Sequence, residues 1–189
     1  QLLPYLYTLA WNAHQTGHPF LRPLSWAQAD PFRFDEVEDA FLLGEHLLVA
    51  PVLEEGQATK QVTFPDGGWY SYWDDTYYQG PDKENFPTSL ERIPLFVRAG
   101  SVLPLDQDGQ IHLHLYPPRE KTSPKIKSEL YQDQGDGYGP HRVDHFTVKR
   151  SQGKLRLTWK DEGEFPFPGE AVTLHIHGMG EIETGEVDG

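Results

Sequence analysis

Phe41–Glu54 reads FLLGEHLLVAPVLE, and two kinds of sequence meet in it. Upstream, Glu36–Leu43 has the apolar spacing of a short helix, with Asp35 as an N-cap and Gly44 where a helix stop is expected. Downstream, Leu47–Leu53 is an apolar run of strand length, and most of the chain beyond it alternates as β-structure does. The stretch is therefore expected to be a seam between an α/β portion and a mainly β portion.

Working back from the seam, Leu2–His14 carries Leu2, Leu6, Leu9 and Ala13 at helical spacing, with Gly17 as its stop. Pro4 is tolerated in a first turn. Phe20–Trp26, flanked by Pro19 and Pro23, suits a strand. A helix, strand, helix order within 45 residues has the form of a unit cut from an α/β protein. The only Met is Met179, and the chain opens on residues already resembling helix interior, so a piece of a longer protein is expected.

Working forward, Gln61–Phe64 is a strand expected to end at a Pro65-Asp66-Gly67-Gly68 turn. Trp69–Tyr78 puts Trp69, Ser71 and Trp73 on one face and Tyr70, Tyr72 and Asp74 on the other, with a hairpin turn at Asp74-Asp75. Ile93–Leu105 is nearly all apolar, with a bend at Ala99-Gly100-Ser101. Ile111–Tyr116 alternates. Pro117–Lys127, rich in proline and basic residues, is expected to be a linker or exposed loop. Ser128–Tyr131, His145–Arg150, Lys154–Lys160 and Ala171–His177 are strand-like, and Glu181–Gly189 has the composition of a frayed end.

Bulk properties narrow the function. The chain has 189 residues, net charge -13 and no cysteine. Its acidic surface disfavours nucleic acid and anionic membrane, which need a basic footprint. Thiolate chemistry, disulfides and cysteine metal sites are excluded. No run of about 18 apolar residues exists to form a spanning helix.

Several residue groups could carry chemistry. Glycoside hydrolysis needs two carboxylates roughly 5–10 Å apart. Asp74/Asp75, Asp133/Asp136 and the Asp35, Glu36, Glu38, Asp39 cluster are the sequence-near candidates, each also explained by a turn or a helix start. His112/His114 and His175/His177 form two H-x-H pairs. Zinc needs three or four ligands and no third is visible, so solvent-facing positions are expected and no metal or other cofactor is assigned. Asp133–Gly137 has alternating oxygen side chains but lacks a later bidentate Glu, which favours a β-turn over a calcium loop. Phosphate-cradle and nucleophile-elbow motifs are absent. The basic run Arg119–Lys127 fits a solvated segment. Trp69, Tyr70, Tyr72 and Trp73, with Tyr77 and Tyr78, form the densest aromatic group. Those not needed for a core are the candidate carbohydrate-binding residues.

The order of HQTGHPFLRPLSW, DAFLLGEHLLVAPVLEEG, FPDGGWYSYWDDTYYQG and IPLFVRAGSVLPL resembles glycoside hydrolase family 31, the family of α-glucosidases and α-xylosidases. ELYQDQGDGYG, from Glu129, is similar to the start of that family's distal C-terminal domain. The resemblance implies a mainly β chain: two C-terminal β-sandwich-type domains, 47–116 and 117–189, preceded at 1–46 by the last helix-strand-helix of a (β/α)8 catalytic barrel. It implies a retaining α-glycosidase as the parent, with oligosaccharide as substrate and the upstream barrel as this region's partner. The family's catalytic Asp residues belong to barrel motifs of the W-x-D-M-N-E type, absent here, so no catalytic residue is carried over and the segment is expected to be inert alone. Arg22, in LRPL, is nearest to a site by topology, and its expected role is a structural ion pair. The rival reading is a carbohydrate-binding β-sandwich without catalysis. A barrel remnant should also leave apolar surface on its first helix, so self-association, or a disordered Gln1–Gly17, is expected in the isolated chain.

Overall fold

The computed structural model describes residues 1–27, 34, 36–119, 125–135, 138–169 and 171–179. The first element is a helix, α1 (Leu3–Thr16), which buries Tyr5, Thr8 and Leu9. Pro4 lies in the first turn, where an N–H has no intrahelical partner to lose. Gly17 ends the helix in the left-handed region (φ 74) and donates its N–H to the Ala13 carbonyl at 2.8 Å. The strand expected over Phe20–Trp26 shrinks to β1 (Leu21–Arg22), followed by a 3-10 turn at Leu24–Ala27.

The helix expected over Glu36–Leu43 does not form. Of this span, Glu36 to Ala40 is irregular, with a turn at Glu36 and a bend at Asp39, and Phe41–Leu43 is a strand, β2. It pairs antiparallel with β3 (Leu47–Val49), Phe41 opposite Val49 and Leu43 opposite Leu47. Gly44 (φ 63) opens the hairpin turn and stops no helix. Asp35, the expected N-cap, lies outside the described residues. The misleading signal was Phe41-Leu42-Leu43. Leu42 packs into one core and Phe41 and Leu43 against another, so three consecutive apolar residues are a strand covered on both faces.

That two-sided burial organises the first sheet, whose strand order is β1-β2-β3-β6-β4-β5, with β4 (Thr59–Ser71), β5 (Tyr77–Pro87) and β6 (Leu95–Arg98). Leu47, Val49, Tyr70, Leu95 and Val97 join Tyr5 and Leu9 of α1 in one cluster. Their chain neighbours Leu48, Trp69 and Phe96 point the other way, into a second cluster with Leu24, Leu42, Val62 and Phe64. Successive side chains on a strand alternate faces, so an all-apolar run needs a core on each side. Lys60 is buried at the second face's margin, where its ammonium is paired with the Asp39 carboxylate and donates to the Asp39 carbonyl at 3.0 Å.

The turn expected at Pro65–Gly68 is instead a β-bulge. The register slips between Phe64 and Gly67, and β4 runs on to Ser71. The carbonyl of Pro65 accepts the indole N–H of Trp69 at 2.9 Å. The hairpin turn does fall at Asp74-Asp75, where Asp75 takes φ 60 and Asp74 accepts the Thr76 N–H at 3.0 Å.

At Gly100 (φ 93) the chain leaves β6 and enters a different sheet, of order β12-β8-β7: β7 (Val102–Gln107), β8 (Gln110–Leu115) and β12 (Thr173–Ile176). The third sheet is β11-β10-β9: β9 (Lys127–Gln132), β10 (Arg142–Ser151) and β11 (Lys154–Gly163). Val102, Leu113 and Leu115 share a cluster with Leu130, Phe146 and Val148, so these two sheets enclose one core. That core draws on chain from both sides of residue 116, and β12 returns to pair parallel with β8. Leu103 and Leu105, on the other face of β7, belong to the cluster under α1. The chain is mainly β, and α1 is the one α-helix among the described residues. No helix there is long and apolar enough to cross a membrane.

Candidate functional site

The four aromatic residues singled out in the sequence separate by burial. Trp69 is 0% exposed, spends its N–H on Pro65, and has the Arg98 guanidinium 5.6 Å from its ring. Tyr70 is buried on the opposite face and donates its hydroxyl to the Pro117 carbonyl at 2.8 Å. Neither presents a ring face on which a sugar could stack. Tyr72 is half-buried, and Trp73 is 41% exposed, with Arg92 5.2 Å from its ring centre and its N–H donated to the Ile93 carbonyl.

The candidate carboxylates hold structure. Asp133 accepts the hydroxyls of Tyr7 and Tyr131, each at 2.8 Å, and the Gly135 N–H at 2.7 Å, so it fastens α1 to β9. Burial pushes its carboxyl upward, and those donors outweigh this, holding it below its ordinary range. Asp136 and Gly137 lie outside the described residues. Asp39 pairs with Lys60, while Glu36 and Glu38 are exposed. Arg22 forms the expected ion pair, 3.1 Å from Glu45, and donates from Nε to Pro19. In the basic run, Arg119 lies over the ring of Tyr77 at 4.2 Å.

The histidines differ from the sequence expectation of plain solvent-facing positions. Because β8 and β12 pair in parallel with His175 opposite His114, the two H-x-H segments stack their imidazoles into one column. Nδ1 of His112 is 2.8 Å from Nε2 of His175, and Nδ1 of His114 is 2.8 Å from Nε2 of His177. Nδ1 of His177 faces Asp75 Oδ1 at 2.8 Å, and Nε2 of His114 faces the Gln107 amide at 3.0 Å. With every ring neutral one donor order satisfies the chain: Gln107 to His114, His114 to His177, His177 to the Asp75 carboxylate. The Tyr116 ring caps the column, stacked on His177 at 4.1 Å. Burial, then its His177, His175 and His112 neighbours, lower His114 to about 4, and His175 is lowered as well. The nitrogens meet in pairs and do not converge on a point, and no group of three metal-ligating side chains occurs among the described residues. The signal in the sequence was the repeated H-x-H spacing on two strand-like runs, which parallel pairing superposes.

Sequence reasoning foresaw apolar surface on the first helix but not its extent. Leu3 is 70% exposed and Leu6 also lies outward, three residues apart on one helical face. Phe20, Leu21 (59% exposed) and Trp26 (52%), in and around β1, are further exposed large apolar side chains. β1 is the sheet's terminal strand and pairs with β2 alone. A cleft of about 290 Å³ lined by Arg22, Trp26, Leu42, Gly44, Glu45 and Arg98 adjoins this edge. An open strand edge beside exposed large apolar side chains has the character of an interface.

Residues 17–103 match the glycosyl hydrolase family 31 C-terminal domain. The whole chain is 28% identical to alpha-glucosidase 2 of Bacillus thermoamyloliquefaciens, of which it covers 25%. It is 33% identical over 140 residues, 69% of this chain and 20% of the relative, to the alpha-glucosidase of Saccharolobus solfataricus. The fold superposes on the family 31 dextranase of Flavobacterium johnsoniae with a TM-score of 0.83 and 28% identity, covering 96% of this chain and 24% of that one. The chain thus spans a quarter or less of the length of these relatives. It belongs to glycoside hydrolase family 31, as a C-terminal portion of that family's enzymes.

Proposed function

We propose that this chain is the C-terminal accessory region of a retaining α-glycosidase. The parent hydrolyses α-glucosidic or related O-glycosyl bonds of oligosaccharides, and this region, inert alone, supports the parent's catalytic barrel, whose upstream remainder packs against α1 and the β1 edge. The observation that carries the reading is the set of uncovered large apolar side chains, Leu3 and Leu6 on α1 and Phe20, Leu21 and Trp26 in and around β1. Within the parent, 1–46 is counted with the barrel, 47–116 as a proximal β-domain and 117–189 as a distal one, with β12 stitching the last two together through its ladder with β8. The test is to assay the purified chain, and the same chain joined to its upstream sequence, on a nitrophenyl α-glucoside. The longer protein should turn over and the chain alone should not. Turnover by the chain alone that survives repurification overturns the reading.

A second reading, a carbohydrate-binding β-sandwich without catalysis, has one observation in its favour: Trp73 is exposed beside Tyr72, with the rings 5.3 Å apart. Maltooligosaccharide titration followed by tryptophan fluorescence tests it, and a response that does not saturate up to millimolar sugar removes it.

A further inference from the structure

We propose that the imidazole column is an acid-sensitive latch, in which protonation of the paired histidines releases β12 from β8. The strand it would release is weakly held. β12 has four residues, lies at the edge of its sheet and pairs only with β8. Its outer residues are exposed, and one further backbone bond, His177 N–H to the Leu115 carbonyl at 2.9 Å, secures its end. Short edge segments with little buried surface are the ones that open locally.

The column fastens this strand until both rings of a pair are charged. Each 2.8 Å contact is one N–H facing one lone pair. When both rings of a pair are charged, both facing nitrogens carry hydrogen and the contact becomes N–H against N–H. Stacking adds repulsion between pairs, since the His114 and His175 ring centres are 4.4 Å apart. The groups facing the column are His112 and His114 from β8, His175 and His177 from β12, Gln107 from β7, Tyr116 after β8, and Asp75 from the β4–β5 turn. Asp75 is the one carboxylate among these. Arg119, over the neighbouring Tyr70 and Tyr77 rings, adds positive charge.

Proton counts set the sign. In a detached strand the histidines titrate near their ordinary 6.5. In the column, His114 is lowered to about 4. The detached state therefore binds more protons between these values, and opening is favoured as pH falls through that window. Discounted for partial solvent screening, His114 alone gives an increase in opening on the order of tenfold between pH 7.5 and pH 5.

Amide hydrogen exchange at pH 7.5 and 5.0, corrected for intrinsic rate, tests this without any activity assay. Protection of 173–177 should fall about tenfold while that of β4 and β6 is kept. Unchanged protection of 173–177, or an equal fall in all three strands, overturns the latch. In the quadruple variant H112Q/H114Q/H175Q/H177Q the column's side chains still hydrogen-bond but none can charge, so β12 protection should lose its pH dependence; retained dependence overturns the proposal. If that variant does not hold β12 at pH 7.5, imidazole NMR titration of the native chain decides. A His114 ring titrating near 6.5 with 173–177 still protected counts against the latch, and its titration well below 6.5 supports it.

Discussion

Asp75, in the turn after β4, accepts a 2.8 Å hydrogen bond from Nδ1 of His177, 102 residues further along the chain. Its other oxygen receives the Gly178 N–H at 3.3 Å. One turn residue thereby ties the first sheet to the end of the last strand. Because Asp75 is partly exposed, Asp75→Ala should cost only about 1 kcal/mol. Asp75→Asn should cost less, since Asn tolerates φ 60 and still accepts from His177. Urea midpoints of the two variants check the order.

Global stability should fall as the solution is acidified through the histidine range. His46 is buried beside Tyr5 and Ser101, with Nδ1 3.1 Å from the Ser101 hydroxyl. Burial, reinforced by Arg98 and Arg22 against the opposing Glu45, lowers it to about 4. Its unfolded value of about 6.5 is higher, so the unfolded chain takes up the extra proton and stability is lost between pH 6.5 and pH 4. The slope due to His46 is at most about 1.4 kcal/mol per pH unit. Chemical denaturation at pH 7.5 and 5.0 should show a smaller difference in His46→Gln than in the native chain.

Two glycines with positive φ should respond unequally to alanine. At Gly44 (φ 63) a Cβ would run into the Tyr5 hydroxyl and the Leu9 side chain, both in the core under α1. At Gly17 (φ 74) nothing lies within reach. Gly17→Ala should cost about 1 kcal/mol for the left-handed backbone alone, and Gly44→Ala roughly 2 kcal/mol or more. Equal denaturation midpoints would show that the hairpin turn relaxes freely.

The uncovered helix face should make the isolated chain associate. Leu3→Ser and Leu6→Ser together remove exposed apolar surface without touching the buried Tyr5, Thr8 and Leu9. Sedimentation velocity over a concentration series should show the native chain shifting to larger species and the double variant remaining monomeric, with the melting temperature changed little.

Elements with one covered face, or with a glycine at a turn, were legible in the sequence. The Leu3–Thr16 helix, the Asp74-Asp75 turn and the bend at Gly100 all appear where period and turn chemistry put them. Phe41–Leu43 was not legible, because burial on both faces erases the alternation that distinguishes a strand from a helix segment. Pro65–Gly68 carries turn residues, yet the ladder with β5 resumes beyond them and the segment becomes a bulge. The histidine column depends on parallel pairing between segments 63 residues apart, and no local pattern encodes which strand is a neighbour. The division of the Trp69–Tyr78 aromatics into core and surface was foreseen only in proportion. Which rings are buried is decided by distant residues: Trp69 by the cluster with Leu24, Leu42 and Val62, and Tyr70 by the cluster with Tyr5 and Leu9.

One strand, β7, serves as a party wall. Val102 faces the core shared with β9 and β10, while Leu103, the next residue, faces the core under α1. Ending the chain before this strand would strip Leu103, Leu105 and Tyr116 from one core, and beginning it afterwards would strip Val102 from the other. No cut near it leaves two finished pieces. In swaps between related enzymes, the portion from α1 to β12 should therefore travel as a single heritable block.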